Sequence, residues 1–211
     1  MTKAELRSNS EQTRERLIVA ACEVFSQQGF QAATVREICC RAEVNIAAVN
    51  YHFGGKDGLL AEALNFVPLK ALLLANAALA GSPQLRLEAF VHDFMHMLLD
   101  EKKASFQCQI MARELVDPTP ALDQIVRDAV APLHAFLGEL LNEISENQLS
   151  AAQLRYCVCS ILGQCMFYRN SQPVLQRLDP KLRYDHQEIN AIATHIAAFS
   201  LAGLALLKPD A

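Results

Sequence analysis

The stretch that decides the fold is residues 34–60, which read TVREICCRAEVNIAAVNYHFGGKDGLL. Thr34, followed three residues later by Glu37, has the spacing of a capping box that starts a helix. An apolar stripe continues from it at helical spacing and consists of Val35, Ile38 and Cys39. The pattern predicts a short helix that ends near Arg41 or Ala42.

A second short helix follows the connector Glu43-Val44. Asn45 can cap it, the residues up to His52 continue it, and Gly54-Gly55 ends it. Lys56 and Asp57 then open another helix. Two short helices joined by a tight turn allow the second to enter the major groove of DNA while the first lies across the backbone. The pattern therefore predicts a helix-turn-helix.

The rest of the chain has helical periodicity as well. Upstream, an apolar stripe ends at Gly29 and contains Leu17, Ala20, Ala21, Val24 and Phe25. Downstream there is no alternating run typical of a strand, and breaks such as Gly81-Ser82-Pro83 and residues 117–120 separate the helical segments. Pro132 lies inside the periodic segment Leu122–Ile144 and should kink or split it. We expect an all-α protein.

The composition fits a folded chain with a sizeable core and a subunit interface. Hydrophobic residues make up 52% of the 211 residues and charged residues 20%. The net charge of −4 is unevenly distributed, because basic and acidic residues number seven each through residue 60. The acidic excess lies downstream of residue 60, so the first part of the chain is the better candidate for binding nucleic acid.

Cellular location is predicted from the N-terminus and the cysteines. Residues 1–16 are strongly polar and have no apolar signal-peptide core, and the seven cysteines have no zinc-finger spacing. We expect reduced thiols in a cytoplasm. The longest nearly apolar run, Ala191–Leu207, falls just short of a membrane span and contains Thr194 and His195. A buried interface helix explains this run better than a membrane helix.

Residues 34–60 closely resemble the DNA-binding signature of the TetR family of transcriptional regulators, and the resemblance extends over about 50 residues. It implies an N-terminal three-helix DNA-binding domain, residues 1–55, and a larger helical domain, residues 56–211. The larger domain would bind a small inducer and form a homodimer. The implied function is a sequence-specific DNA-binding regulator, expected to be a repressor that a mostly apolar small molecule releases. Its DNA target would be a double-stranded, pseudo-palindromic operator.

The resemblance also implies which residues contact DNA. Thr34, Tyr51, His52 and Lys56 match positions that bind phosphates, and Arg36 matches a position that contacts phosphate or a guanine edge. The exposed first turn of the recognition helix would contain Asn45, Ile46, Ala47 and Ala48. Asn50 can bond a phosphate or an adenine, and the sequence does not distinguish these roles. Glu43 departs from the family's glycine, so either a positive φ at this residue costs about 1 kcal/mol or the turn differs slightly from the family's.

The C-terminal part resembles a TetR subfamily around a regulator of cefoperazone and chloramphenicol sensitivity. The similar segments are MARELVDPTPALD, residues 111–123, and VAPLHAFLGELL, residues 130–141. This resemblance implies control of efflux or membrane-transport genes. The helical segments Gln153–Tyr168 and Ile189–Leu207 would form a four-helix bundle across the dimer axis. The alternative is that their apolar faces form an intramolecular core.

Candidate ligand-binding residues combine apolar side chains with a few polar groups. They are His92, Met95, His96, Met111, Arg113, Phe136, Cys165 and Tyr168. Residues at helical spacing are also typical of ordinary core, and that alternative stays open for each of them. His92 and His96 share one helical face and have the spacing of metal ligands, but no third ligand follows at a readable spacing. We therefore predict no metal and no cofactor.

Three other functions compete with a ligand-responsive regulator. An enzyme is disfavoured because the sequence has no Gly-x-Ser-x-Gly motif, no phosphate loop and no strand to support either. A helical interaction protein could keep the fold without binding DNA. A redox sensor could use the adjacent Cys39 and Cys40, although adjacent helical side chains point about 100° apart and seldom form a disulfide.

Overall fold

The computed structural model describes residues 3–64, 67–99 and 106–207, and its regular secondary structure in these ranges is entirely helical. The predicted all-α fold is confirmed. The helices, in chain order, are α1 Lys3–Ala32, α2 Val35–Ala42, α3 Ala47–Phe53, α4 Lys56–Ala63, α5 Val67–Ala77, α6 Pro83–Leu99, α7 Phe106–Val116, α8 Ala121–Ile125, a π-helical segment Val126–Val130, α9 Ala131–Ile144, α10 Ala151–Asn170, α11 Gln172–Leu178 and α12 His186–Leu206.

The chain divides into two compact units. The first comprises Met1–Phe66 with Ser105–Asp128, and the second comprises Val67–Ala104 with Ala129–Ala211. Packing thus places α4, α7 and α8 with α1–α3, whereas the sequence led us to expect a boundary after residue 55. Helix α4 belongs to the first unit because it packs on α1 and buries Leu59 and Leu60. As functional domains, residues 1–55 and 56–211 stay a prediction.

The first unit is built around α1, which packs against α2, α4 and α7. Gly29 interrupts α1 with a φ of 80°, in agreement with the predicted end of the first helix. The predicted apolar stripe of α1 is buried, with Leu17, Val24 and Phe25 fully inaccessible. Ile38 of α2 and Val49 of α3 are also fully buried. Burial of apolar side chains from several helices stabilises short elements that have little helical stability of their own.

Pro132 divides the predicted segment Leu122–Ile144, as expected. It lies in the first turn of α9, and the π-helical segment directly precedes that helix. Proline has no backbone N–H and its ring clashes with the preceding turn, so a continuous α-helix through residue 132 is disfavoured. Single-turn π-helical bulges occur inside α-helices at irregularities of this kind.

In the second unit, α6 packs against α5, α9, α10 and α12. Its buried face includes Phe90 and Met95, and Phe90 stacks on Phe94 with ring centroids 5.5 Å apart. Within the described residues, α12 is long and apolar enough, by length and composition, to cross a membrane, and 33% of its apolar window is buried. One face of α12 packs on α6 and α10, which is typical of a core helix in a soluble protein.

The corner between α3 and α4 requires a glycine at position 58. A Cβ at Gly58 would overlap the carbonyl oxygen of Phe53 and lie 3.0 Å from its carbonyl carbon. Backbone atoms cannot move aside as a flexible side chain can, so the two helices would have to separate. Gly138 in α9 differs, because a Cβ there would meet no atom within 4 Å.

We predict that Gly58→Ala lowers the free energy of unfolding by about 1–3 kcal/mol, the usual cost of overpacking. Gly138→Ala is the matched control and should raise it by about 0.5–1 kcal/mol, because alanine loses less backbone entropy in a helix. Urea denaturation of both variants measures the difference. A Gly58→Ala protein as stable as the native protein would contradict the close approach of α3 and α4.

Candidate nucleic-acid interface

Thr34 caps α2 as predicted. Its Oγ1 accepts a hydrogen bond from the Glu37 backbone N–H at 3.1 Å. The Glu37 side chain does not form the other half of the expected capping box. Its Oε1 instead accepts a 2.6 Å hydrogen bond from Gln28 Nε2. Glu37 therefore joins α2 to α1. Thr34 itself is exposed at the N-terminus of α2, where a backbone phosphate can be bound.

In the turn between α2 and α3, Glu43 has a left-handed conformation, the first of the two alternatives that the sequence left open. Its φ and ψ are 53° and 47°, and its N–H donates to the Cys40 carbonyl at 3.2 Å. Arg16 of α1 holds this turn, since its Nη2 lies 3.2 Å from both the carbonyl and the carboxylate of Glu43. The sequence revealed the unusual residue in the turn but not the arginine that contacts it.

Asn45 begins the recognition helix by accepting a 2.9 Å hydrogen bond at Oδ1 from the Ala47 N–H. The helix itself starts at Ala47, so Ile46 lies in the turn before it and is 50% exposed. Val49 is fully buried. The exposed residues of this segment comprise Asn45, Ile46, Ala47, Asn50 and Tyr51, and Ala48 is half-buried. The segment thus combines one buried anchor with an exposed surface suited to a DNA groove.

The end of α3 contains two more of the predicted phosphate-binding residues. Tyr51 is 81% exposed, and the half-buried His52 ring packs edge-on against it at 4.9 Å. Gly54 closes the helix with a φ of 72° and donates its N–H to the Asn50 carbonyl at 3.0 Å. The left-handed conformation at this position favours glycine.

Lys56 is held at the start of α4 by the end of α1. Its ammonium lies 4.4 Å from the centroid of the Phe30 ring, and Nζ donates to the Gln31 carbonyl at 3.4 Å. An ammonium has three donors, so this arrangement leaves N–H groups for a phosphate. The sequence analysis did not predict the contact between Phe30 and Lys56. The aromatic residue directly after Gly29 is the sequence feature that could have indicated it.

The cationic side chains of the first unit differ in whether they form ion pairs. Three arginines have carboxylate partners, with Arg14 2.5 Å from Glu62, Arg16 3.2 Å from Glu43 and Arg41 3.3 Å from Glu23. Neither Arg36 nor Lys56 has an ion-pair partner within the described parts of the chain, and Arg36 is exposed. The two cations that the sequence assigned to DNA contact are therefore available to phosphates.

The predicted ligand-binding residues fall in both units. Met111 and Arg113 lie on α7 in the first unit, where Arg113 Nη1 donates to the Ser26 carbonyl at 3.3 Å and its side chain passes over Gly29. The contacts of Arg113 therefore join α7 to α1. The other six residues lie in the second unit and are His92, Met95, His96, Phe136, Cys165 and Tyr168.

The two candidate histidines contact α12 through hydrogen bonds. His92 Nε2 lies 3.1 Å from Thr194 Oγ1, and His96 Nε2 lies 2.7 Å from Asn190 Oδ1. Met95 and Cys165 are fully buried, and Phe136 packs against Phe90 with centroids 5.3 Å apart. Their role as ligand-binding residues stays a prediction, and the histidines have a structural role between α6 and α12.

The cysteines differ in burial. Burial raises the pKa of Cys22 to about 11 and that of Cys165 to about 12, so both thiols stay protonated near neutral pH. A protonated thiol is a weak nucleophile. Cys39 is buried while Cys40 is exposed, so their side chains lie on different faces of α2. This geometry disfavours a redox role for the Cys39-Cys40 pair.

Comparison with known proteins relates both units to bacterial regulators. The family model described as "Bacterial regulatory proteins, tetR family" matches residues 17–63. The model described as "HTH-type transcriptional dual regulator CecR, C-terminal domain" matches residues 83–204. The CecR regulator of Shigella flexneri is 26% identical over 183 residues, which cover 80% of this chain and 81% of the relative.

Other similarities are local or structural. The regulator SrpR of Pseudomonas putida is 47% identical over 49 residues, which cover 23% of each chain. A TetR-like regulator from Rhodococcus sp. RHA1 has a TM-score of 0.66 at 17% identity and covers 92% of this chain and 97% of its own. The fatty acid degradation regulator FadR of Bacillus halodurans has a TM-score of 0.64 at 18% identity, with 90% and 98% covered. Both solved structures share the fold of this chain.

We predict that Glu43→Gly raises the free energy of unfolding by about 0.5 kcal/mol. Relief of the left-handed conformation should exceed the loss of an exposed ion pair and the higher entropy of unfolded glycine. Glu62→Gly is the matched control, because Glu62 also pairs with an arginine of α1 but lies in a helix. It should lower stability by about 1 kcal/mol. Denaturant unfolding that ranks the two variants equally would contradict this account of the turn.

Proposed function

This chain belongs to the TetR family of bacterial transcriptional regulators and has the C-terminal domain of the CecR type, and on that premise we propose which residues bind DNA and how binding is controlled. It is a DNA-binding regulator with a helix-turn-helix. The proposal is a cytoplasmic homodimer that represses transcription at an operator and is released by a small, mostly apolar molecule.

The observation that carries the DNA-binding proposal is the combination of a buried Val49 with an exposed surface along the same short helix. Ile46, Ala47 and Ala48 offer apolar contacts to thymine methyl groups, and Asn50 offers a hydrogen-bonding amide. Base discrimination would rest on Asn50, on Arg36 and on the shape of the DNA, because the alanines have no side-chain donor or acceptor.

Phosphate binding would come from the residues around the recognition helix. Thr34 and Lys56 lie at the N-termini of α2 and α4, where backbone N–H groups also attract anions. Tyr51 and His52 would contribute further phosphate contacts. The Phe30 ring and the Gln31 carbonyl fix the Lys56 ammonium before DNA arrives, which reduces the entropy lost on binding.

A second copy of the chain would cover the outer face of α10 and α12. Tyr156 and Phe167 of α10 are 61% and 55% exposed, and Phe199 of α12 is 64% exposed. A groove of about 220 Å³ between the two helices is lined by residues that include Cys157, Phe199 and Gly203. Large exposed apolar side chains around a groove are typical of a subunit interface. The predicted alternative, an intramolecular core, accounts for the opposite face of each helix.

Release by a small molecule requires the ligand to prefer the arrangement that binds DNA poorly. A coupling of about 1–3 kcal/mol would lower operator affinity roughly 5- to 150-fold, and operator DNA would weaken ligand binding by the same factor. His92, Met95, His96, Met111, Arg113, Phe136, Cys165 and Tyr168 stay the candidate ligand-binding residues. The proposal includes no metal, cofactor, catalysis or membrane insertion.

The decisive experiment is a mobility shift of the purified protein on its own upstream DNA, repeated over a range of salt concentrations. Specific binding should appear at nanomolar protein and weaken steeply with salt, because released counterions contribute much of the affinity. A helical interaction protein would give no sequence-specific shift. That outcome would overturn the proposed function.

We predict that substitutions of Lys56 and of Arg36 have different effects on operator binding. Lys56→Met keeps the apolar stem on Phe30 and should weaken binding to all sequences alike, with the slope of log affinity against log salt reduced by about one. Arg36→Ala should also relax base preference at one position by about 1–3 kcal/mol. Lys181→Ala, an exposed lysine of the second unit, is the control and should change neither. An unchanged salt slope for Lys56→Met would refute its phosphate role.

We also predict that Phe199→Arg disrupts the homodimer. An arginine buried in the apolar interface lacks a partner, and its desolvation should raise the dimer dissociation constant at least about 100-fold. Leu74→Arg, at a 74% exposed leucine of α5, is the control and should stay dimeric. Sedimentation velocity at micromolar protein distinguishes the two. A dimeric Phe199→Arg protein would place the interface elsewhere.

A further inference from the structure

Helix α1 contains a break close to the residues that hold Lys56. Gly29 has a φ of 80° and a ψ of 168°, far from helical values. At the end of a helical stretch the last carbonyl oxygens lack the amide partners that a continuing helix would supply. The negative end of the helix dipole lies at the same place, so a cation there is stabilising. The break therefore offers a site for a donor from another helix, and a cationic donor suits it best.

Arg113 of α7 occupies this position. Its Nη1 donates to the Ser26 carbonyl at 3.3 Å, three residues before the break. Its side chain also lies directly over Gly29, because a Cβ at that residue would be 3.2 Å from Arg113 Cδ and 3.4 Å from its Nε. Within the described ranges of the chain, Arg113 forms no ion pair with a carboxylate. The guanidinium therefore caps the first part of α1, and its stem fills the space beside the glycine.

The two residues directly after the break hold the Lys56 ammonium. Nζ lies 4.4 Å from the centroid of the Phe30 ring and donates to the Gln31 carbonyl at 3.4 Å. The Phe30 ring itself packs on the fully buried Phe25, with centroids 5.8 Å apart. Glycine has no side chain to restrict its φ and ψ, so a freed Gly29 could adopt other backbone angles. The position of the ammonium thus depends on how firmly that glycine is held.

Helix α7 is a rigid support for the guanidinium. It packs against α1 and belongs to the same unit. Ile110 and Glu114, on either side of Arg113, are 3% and 2% exposed. The Glu114 carboxylate accepts from the Thr119 N–H at 2.8 Å, which satisfies this buried charge locally. A side chain attached to an anchored helix can fix a neighbouring backbone more precisely than one attached to a loop.

We propose that Arg113 is a positioning residue for DNA binding. By capping the first part of α1 and covering Gly29, it fixes the backbone whose next two residues hold Lys56. Arg113 makes no DNA contact of its own in this arrangement, and its effect on operator affinity passes through Lys56. The inference rests on the proposed phosphate contact of Lys56 and adds a residue from a different part of the chain to it.

The first measurement compares operator binding by Arg113→Ala, Lys56→Met and the double variant over a range of salt concentrations. Arg113→Ala should reduce the slope of log affinity against log salt by about one, as Lys56→Met does. The double variant should bind no more than about twofold more weakly than Lys56→Met, because two residues that serve one contact are not additive. A slope reduced by about two in the double variant would mean that Arg113 contacts a phosphate itself, and it would overturn the proposal.

Two control variants separate position from charge. Arg127→Ala removes an exposed arginine of the same unit and should leave the slope unchanged. An equal loss in Arg127→Ala and Arg113→Ala would indicate a general charge effect and overturn the proposal. Arg113→Lys keeps a cationic donor for the Ser26 carbonyl and should retain the native slope. Partial unfolding would not imitate the expected result, because it lowers the fraction of active protein and leaves the slope as it is.

The second measurement needs no DNA. An aromatic ring shields protons above its face, so the ε-methylene protons of Lys56 should resonate upfield of those of exposed lysines. Their NMR signal is identified by its loss in Lys56→Met. Arg113→Ala should move this signal toward the exposed lysines, whereas Arg127→Ala should leave it in place. A signal that stays in place in Arg113→Ala would show that Phe30 holds Lys56 without Arg113, and it would overturn the proposal.

The same data distinguish this inference from the proposed function. If Lys56→Met leaves the salt slope unchanged, the phosphate contact of Lys56 fails and the positioning role in DNA binding fails with it. If Lys56→Met reduces the slope and Arg113→Ala does not, the positioning role alone fails.

Discussion

The first unit depends on the burial of one face of α1. Helices α2 and α3 have eight and seven residues, and isolated helices of that length are unstable in water. They persist because Ile38 and Val49 are buried together with the stripe that contains Leu17, Val24 and Phe25. The orientation of the recognition helix is therefore determined by packing on a longer helix, and the left-handed turn at Glu43 is tolerated because Arg16 of that helix holds it.

The same helix also arranges the charges. The first 60 residues have equal numbers of basic and acidic side chains, which is an unusual balance for a DNA-binding surface. Carboxylates pair with Arg14, Arg16 and Arg41 and join the helices to one another. Among the residues that the structure describes, Arg36 and Lys56 have no carboxylate partner. Local pairing rather than net charge thus decides which cations are available to phosphates, and for this reason a chain with a net charge of −4 can bind DNA.

The parts of the structure that sequence predicted are those determined by neighbours along the chain. Thr34 and Glu37 are three residues apart, Asn45 Oδ1 accepts from the N–H of Ala47 two residues later, and Pro132 acts within its own turn. The capping box formed by Ser150 and Gln153 at the start of α10 has the same three-residue spacing, but the sequence analysis did not predict it.

What the sequence could not predict depends on partners that are distant along the chain. His92 and His96 had the pattern of ligand-binding residues, but their hydrogen bonds go to Thr194 and Asn190, about a hundred positions away. Arg113 donates to the carbonyl of Ser26, 87 positions away, and its ligand-binding role stays a prediction. In each case the contact within the protein depends on the packing of two helices that are distant in the sequence, which a local pattern does not reveal.

Helix α12 illustrates why composition alone is ambiguous for this chain. Ile189, Ile192 and Ile196 are buried inside the second unit, while Phe199 and Leu206 of the same helix are exposed. A helix that is apolar on all sides is stable only where each side is covered, whether by lipid or by protein. The histidine contacts from α6 and the packing of α10 cover one side of α12 with protein. The proposed second copy covers the other side with the same kind of surface, and it explains the apolar composition without requiring a membrane.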